Sequence, residues 1–151
     1  MIEIVIDESV FMESLRVLLQ YIAGKRALTG DEYFRHTICE ADYPLISRLM
    51  EEALAWLSGC TGALTVDKED DTGFWKVKLP EVMAVEGNPE REASLRIMVR
   101  DALLHRVVAL WLRITGGENA EQWAMTAAEI VESICIMARR RPLRLRRSDP
   151  F

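Results

Sequence analysis

The sequence predicts a mainly α protein: an antiparallel helical bundle of about four helices, with a small β-hairpin insert and a short N-terminal strand. Three observations lead there. Apolar residues recur at helical spacing in four separate segments, Gly and Asn-Pro or Asp-x-Pro punctuation brackets those segments, and two short β-rich runs flank one acidic stretch. Of the 151 residues 50% are hydrophobic and 28% charged, with only 8 Gly and 5 Pro, a composition that supports a core and excludes disordered or low-complexity chains.

The chain opens with Ile-Glu-Ile-Val-Ile at 2–6, β-branched and partly alternating, which reads as a strand. A helix follows, with Asp7 or Ser9 as cap, Phe11, Leu15, Leu18, Leu19 and Ile22 as its apolar face, and Gly24 as its stop. Thr29-Gly30-Asp31 signals a turn, and Tyr33 to Cys39 reads as a short strand or an irregular loop. The second helix takes Asp42 as N-cap, Pro44 in its first turn and Gly59 just past its end, with Leu45, Ile46, Leu49, Ala53, Trp56 and Leu57 on one face.

A hairpin insert is expected at about 62–80. Ala63 to Val66 and Phe74 to Leu79 form its strands, and the polar stretch 67–73, with Asp67, Glu69, Asp70 and Asp71, forms its loop. The third helix opens on Asn88-Pro89, runs to about Ile114 and stops at Thr115-Gly116-Gly117. Every residue from Val107 to Leu112 is apolar, so this helix is expected to be central or partly covered by another subunit. A fourth helix, from about Asn119 to Arg139, carries Trp123, Ala127, Ile130, Ile134 and Met137 in one seam, and the Gly-Gly connection folds it back against the third. The domain is read as residues 1–138, followed by a basic tail at 139–151.

Charge is divided unevenly. The net charge is −5, yet the tail, with Arg139, Arg140, Arg141, Arg144, Arg146 and Arg147 against Asp149, carries +5 and the remainder −10. A dedicated nucleic-acid domain spreads its bases over one face. An acidic body with a basic arm instead suits contact with an acidic partner, nucleic acid or another copy of the same chain. The apolar run at 107–112 is too short to cross a bilayer, and residues 1–20 lack the basic start of a secretory signal, so a soluble intracellular protein is expected.

No catalytic constellation, cofactor site or metal site is expected. His36-x-x-Cys39 has ligand-like spacing, with Cys60 available to join it, but zinc needs a second pair, and only His105 and Cys135 remain to be recruited from helices. The three cysteines are widely spaced and odd in number, which argues against a disulfide framework, and Cys135 reads as a small buried hydrophobe. Asp101 and His105, four apart, share a helix side and can pair as a general base is oriented, although no nucleophile stands in matching context. The acids of the hairpin lack the spacing of a calcium loop and suit docking of a basic surface. Phosphate-binding glycine loops are absent. Of the four tryptophans, Trp56, Trp111 and Trp123 fall on helices in apolar company, whereas Trp75 on the hairpin could anchor an interface.

The segment Ala41-Asp42-Tyr43-Pro44-Leu45-Ile46 through Ala53-Leu54-Ala55-Trp56-Leu57-Ser58-Gly59-Cys60-Thr61-Gly62 resembles a helix of the small head-tail connector, or head-completion, proteins of tailed bacteriophages and prophages. In those proteins an Asp precedes paired aliphatics, then an Ala, an aromatic and a Thr-Gly end. The likeness continues through a strand-rich insert (62–86), a long helix opening near Pro89, a last helix and an arginine-containing tail, covering roughly residues 40–147. The strand at 2–6 and the stretch before Asp42 depart from the shortest members. The resemblance implies a non-enzymatic virion assembly protein that forms a homo-oligomeric ring between portal and tail proteins, present in the host cytoplasm during assembly and then in the virion. It carries no catalytic residues over. The partner-binding residues expected on charge and position are the six tail arginines, Asp67, Glu69, Asp70, Asp71 and Trp75. The alternative is a small intracellular adaptor or regulator that contacts nucleic acid or an acidic partner through the arginine tail.

Overall fold

The computed structural model describes residues 2–25, 37–61, 65–69, 73–79 and 88–139. Its elements are β1 (Ile2–Asp7), α1 (Glu8–Lys25), a 3-10 turn (Glu40–Asp42), α2 (Tyr43–Thr61), β2 (Thr65–Glu69), β3 (Phe74–Leu79), α3 (Pro89–Thr115) and α4 (Ala120–Arg139). The fold is mainly α, four helices packed with one small antiparallel sheet, as the apolar spacing predicts. The Tyr33–Cys39 reading falls mostly outside the described residues.

Local chemistry explains the clearest boundaries. Asn88 has extended backbone, and its side-chain oxygen accepts from the N–H groups of Glu90 and Arg91 at 3.2 and 3.3 Å, with Pro89 in the first turn of α3. At the other end Gly116 takes a left-handed φ of 72°, and the Gly117 N–H reaches the Leu112 carbonyl at 2.8 Å. Asn119, also left-handed at φ 67°, then starts α4, its carbonyl accepting from the Trp123 N–H at 3.2 Å. Arg113 donates to Glu121 at 3.0 Å across this connection.

Two expected stops are corrected. Gly24 and Gly59 both lie inside their helices, and α2 runs on to Thr61, whose hydroxyl donates to the Leu57 carbonyl at 2.9 Å. Neither glycine has the positive φ that a left-handed cap requires. Asp42 does precede α2, but its carboxylate turns back to accept from the Cys39 N–H at 3.0 Å, closing the 3-10 turn rather than capping the helix.

β3 is central in a three-stranded sheet of order β1-β3-β2. Ile4 faces Val77 and Ile6 faces Trp75 in the β1–β3 register, while Val66 faces Val77 in β2–β3. Side chains alternate across a strand, so Ile2, Ile4, Ile6, Trp75 and Val77 line the buried face. On the outer face Lys76 lies 4.0 Å from Glu3. Asp67 and Glu69 belong to β2 instead of the hairpin loop, and Asp70 and Asp71 lie outside the described residues.

One core cluster joins β1, α1, α2, β3, α3 and α4, with Leu15, Leu19, Ile46, Met50, Leu54, Leu57, Leu95, Leu103 and Ile134 fully enclosed. Among the described residues no polar or charged residue is buried. Val107, Val108, Ala109, Trp111 and Leu112 are all buried within a single copy. The apolar run of α3 is therefore central, with Leu110 alone in it part-buried, and α3 packs chiefly against α4 and α2, with smaller contacts to α1 and β1.

Candidate functional site

The pair Asp101 and His105 does not form. His105 Nδ1 lies 2.7 Å from the Asp101 backbone carbonyl, which can only accept, so Nδ1 carries the proton. A neutral carbonyl orients the ring but places no carboxylate behind it, which removes the geometry of an assisted general base. The other constraint on the ring is Trp123 of α4, with ring centroids 5.0 Å apart and planes tilted by 38°. Asn119, Gln122 and Thr126 complete a shallow cleft of about 250 Å³ beside these rings. Four-residue spacing brings two side chains to one helix side, yet side chains lean toward the helix N-terminus, where the imidazole meets the backbone first.

The remaining sequence candidates are dispersed. Cys39 and Cys60 are exposed and Cys135 is half-buried, all three as free thiols; Cys39 Sγ lies 3.2 Å from the Asp42 carboxylate. His36 falls outside the described residues, and among those described no three His, Cys, Asp or Glu side chains cluster as metal ligands do. Trp75 is only 5% exposed, so it is a core residue and drops out as an interface anchor. Its position follows from the alternation of Phe74 to Leu79, which sends Trp75 and Val77 to the side opposite Lys76 and Lys78. Arg139 ends α4, and Arg140, Arg141, Arg144, Arg146 and Arg147 lie outside the described residues. Arg106 stacks on Trp56 at 4.9 Å, tying α3 to α2.

A surface missed in the sequence stands out on α1. Val10, Val17 and Tyr21 are 61%, 54% and 60% exposed. They are seven and four residues apart, so they form one stripe, turned about a third of the way round the helix from the buried face of Phe11, Leu15 and Leu19. The signal was available: α1 has apolar residues at two helical phases, and one packed face accounts for only one of them. At the rim of this stripe the Arg16 Nε donates to Glu13 at 3.0 Å, and that hydrogen bond holds the Glu13 carboxyl below its ordinary value.

At its N-terminal end the stripe opens into a notch of about 440 Å³ between β1, α1 and α3. Val5, Val10, Phe11 and Leu104 supply apolar walls, and Asp7, Arg100 and Asp101 supply charge. Val5 and Val10 belong to the exposed hydrophobic residues as well. Neither a family model, nor a curated protein, nor a solved structure matches the chain. No helix among the described residues is long and apolar enough to cross a membrane.

Proposed function

We propose that this protein is a non-enzymatic assembly protein that works by contacting other protein chains, with the role of a phage or prophage head-tail connector: a ring-forming subunit between portal and tail. The observation that carries the interaction role is the exposed stripe of Val10, Val17 and Tyr21, which continues into the notch lined by Val5 and Leu104. Apolar residues scattered singly over a surface need no explanation, but Val10, Val17 and Tyr21 share one face of α1, with Glu13 and Ser14 on the turn between Val10 and Val17, and a shared face of this kind beside an apolar recess suits the binding of another chain. The order of elements supports the finer reading, because a helix ending Thr61-Gly62, a strand-rich insert, a long helix opening at Pro89 and a last helix with a basic tail follow the resemblance segment by segment. Heterologous contacts between an acidic body and a basic arm close into rings when the rotation between copies divides a circle.

The test is the solution mass across a concentration series, followed by negative-stain imaging of any large species. Rings of uniform diameter support the connector role. A strict monomer at all concentrations that also fails to bind isolated portal rings overturns it. Binding to DNA that falls steeply with salt, with no self-association, replaces it with the nucleic-acid adaptor.

A further inference from the structure

Two helices meet in a polar recess that the assembly role leaves unused. His105 of α3, with Asn119, Gln122, Trp123 and Thr126 at the start of α4, lines a shallow cleft of about 250 Å³. No Asp, Glu, Lys or Arg is among the described residues that line it. An ionic ligand would lose its hydration there without meeting a countercharge. A purely apolar ligand would cover the polar atoms of the cleft and leave them unpaired.

Those polar atoms are available and their framework is fixed. His105 Nδ1 donates to the Asp101 carbonyl at 2.7 Å, so Nε2 of the neutral ring is an acceptor. Among the described residues neither that nitrogen nor the indole Nε1 of Trp123 is hydrogen-bonded, and neither is an enclosed orphan atom. The side-chain amides of Asn119 and Gln122 are likewise unengaged among the described residues. The Thr126 hydroxyl donates to the Gln122 carbonyl at 3.0 Å, which leaves its oxygen to accept. Asn119 is set by its left-handed φ of 67°, its carbonyl accepting from the Trp123 N–H at 3.2 Å, and the imidazole and indole rings lie 5.0 Å apart. Backbone and rings are thus in place before a ligand arrives, which lowers the ordering cost of binding.

The complement of this set is a small, neutral, rigid ligand with several groups that both donate and accept, and with an apolar face for the indole. A pyranose sugar ring has that chemistry. Each hydroxyl donates or accepts as its neighbour requires, while the C–H groups of the ring pack on an aromatic surface. A single side-chain amide offers one carbonyl and one NH₂, too few for five polar side chains. The cleft is smaller than the ~300–1,000 Å³ of sites for drug-sized ligands, which limits it to about one ring.

We propose that the cleft between His105 and Trp123 binds a neutral saccharide through one sugar ring. His105 Nε2 accepts from one hydroxyl, the Trp123 indole N–H donates to another, and the amides of Asn119 and Gln122 engage those at the rim. The cleft shares no residue with the α1 stripe or the notch, so its ligand is independent of the assembly contact.

The experiment titrates the ¹⁵N-labelled full chain with methyl β-glucoside, methyl β-galactoside and N-acetylglucosamine, with acetamide as the amide control, and follows amide and indole N–H signals. At least one sugar is expected to give saturable shifts at the Trp123 indole and at residues 105 and 119–126, with a Kd on the order of 1 mM, as suits a ligand of about a dozen heavy atoms. Gln122→Ala, at an exposed position, and Asn119→Gly, which keeps the left-handed backbone, are each expected to weaken that binding about three- to tenfold. No saturable shift with any of the sugars at about 100 mM, where a millimolar site is full, overturns the proposal. Shifts that neither variant alters overturn it as well, because they place the sugar elsewhere. Acetamide binding as tightly as the sugars overturns the saccharide assignment and gives the cleft to a side-chain amide of a partner protein.

Discussion

At the scale of single residues, the two termini of α3 rest on side-chain and backbone chemistry that substitutions can isolate. Asn88→Ala removes the acceptor of two otherwise unpaired N–H groups and is expected to lower stability by ~1 kcal/mol in urea unfolding. Gly116→Ala forces a Cβ into a left-handed conformation and is expected to cost roughly 1–2 kcal/mol, although open space surrounds the site. Both ends were legible because Asn-Pro and Thr-Gly-Gly each admit few alternatives. Gly59 was not, since a glycine in the last turns of a helix looks the same in sequence whether or not its φ turns positive. The ion pair on α1 yields a sign-checked expectation. Arg16 lowers the Glu13 pKa in the folded chain, so the pair's contribution is present above the ordinary glutamate value of 4.5 and is lost as the pH falls through the lower folded value. The difference in melting temperature between wild type and Glu13→Gln should then be present at neutral pH, vanish in acid, and shrink with added salt because both side chains are exposed.

At the scale of elements, α1 separates packing from binding on one helix. Leu15 is fully enclosed, so Leu15→Ala is expected to cost about 2–5 kcal/mol. The pair Val10→Ser and Val17→Ser, on the exposed stripe, is expected to stay within about 0.5 kcal/mol per site in unfolding while self-association measured by sedimentation weakens. A loss of stability equal to that of Leu15→Ala would show that Val10 and Val17 serve packing rather than binding. The sheet shows where sequence reading ran out. Alternation in Ile2–Ile6 and Phe74–Leu79 assigns faces, and it correctly sends Trp75 inward once Lys76 and Lys78 are placed outward. It does not assign partners, because the pairing of Ile2 with Leu79 depends on packing that brings together strands far apart in the chain. Similarly, the spacing of Asp101 and His105 fixes a shared side of α3 but not the rotamer, and the rotamer delivers the imidazole to a backbone carbonyl.

At the scale of the whole molecule, the burial of Val107, Val108, Ala109, Trp111 and Leu112 within one copy changes where an assembly contact must be sought. The apolar run of α3 was expected to be central or shared with another subunit, and it is central, most of its side chains joining the one core cluster with α2 and α4. Stability and assembly are then separable properties, carried by different residues. Removing residues 139–151 takes away +5 of charge, and the core cluster of the described residues is drawn from Ile2 to Ile134. The truncated chain is therefore expected to unfold at nearly the same temperature as the full chain while its self-association falls. Because the arm is basic and the body acidic, the association of the full chain should weaken as salt rises from ~0.01 to ~1 M and the screening length contracts from ~30 to ~3 Å. The truncated chain should show a flatter dependence. Equal salt dependence in the two would locate the contact on the α1 stripe alone, where hydrophobic burial is indifferent to screening and strengthens in sulfate.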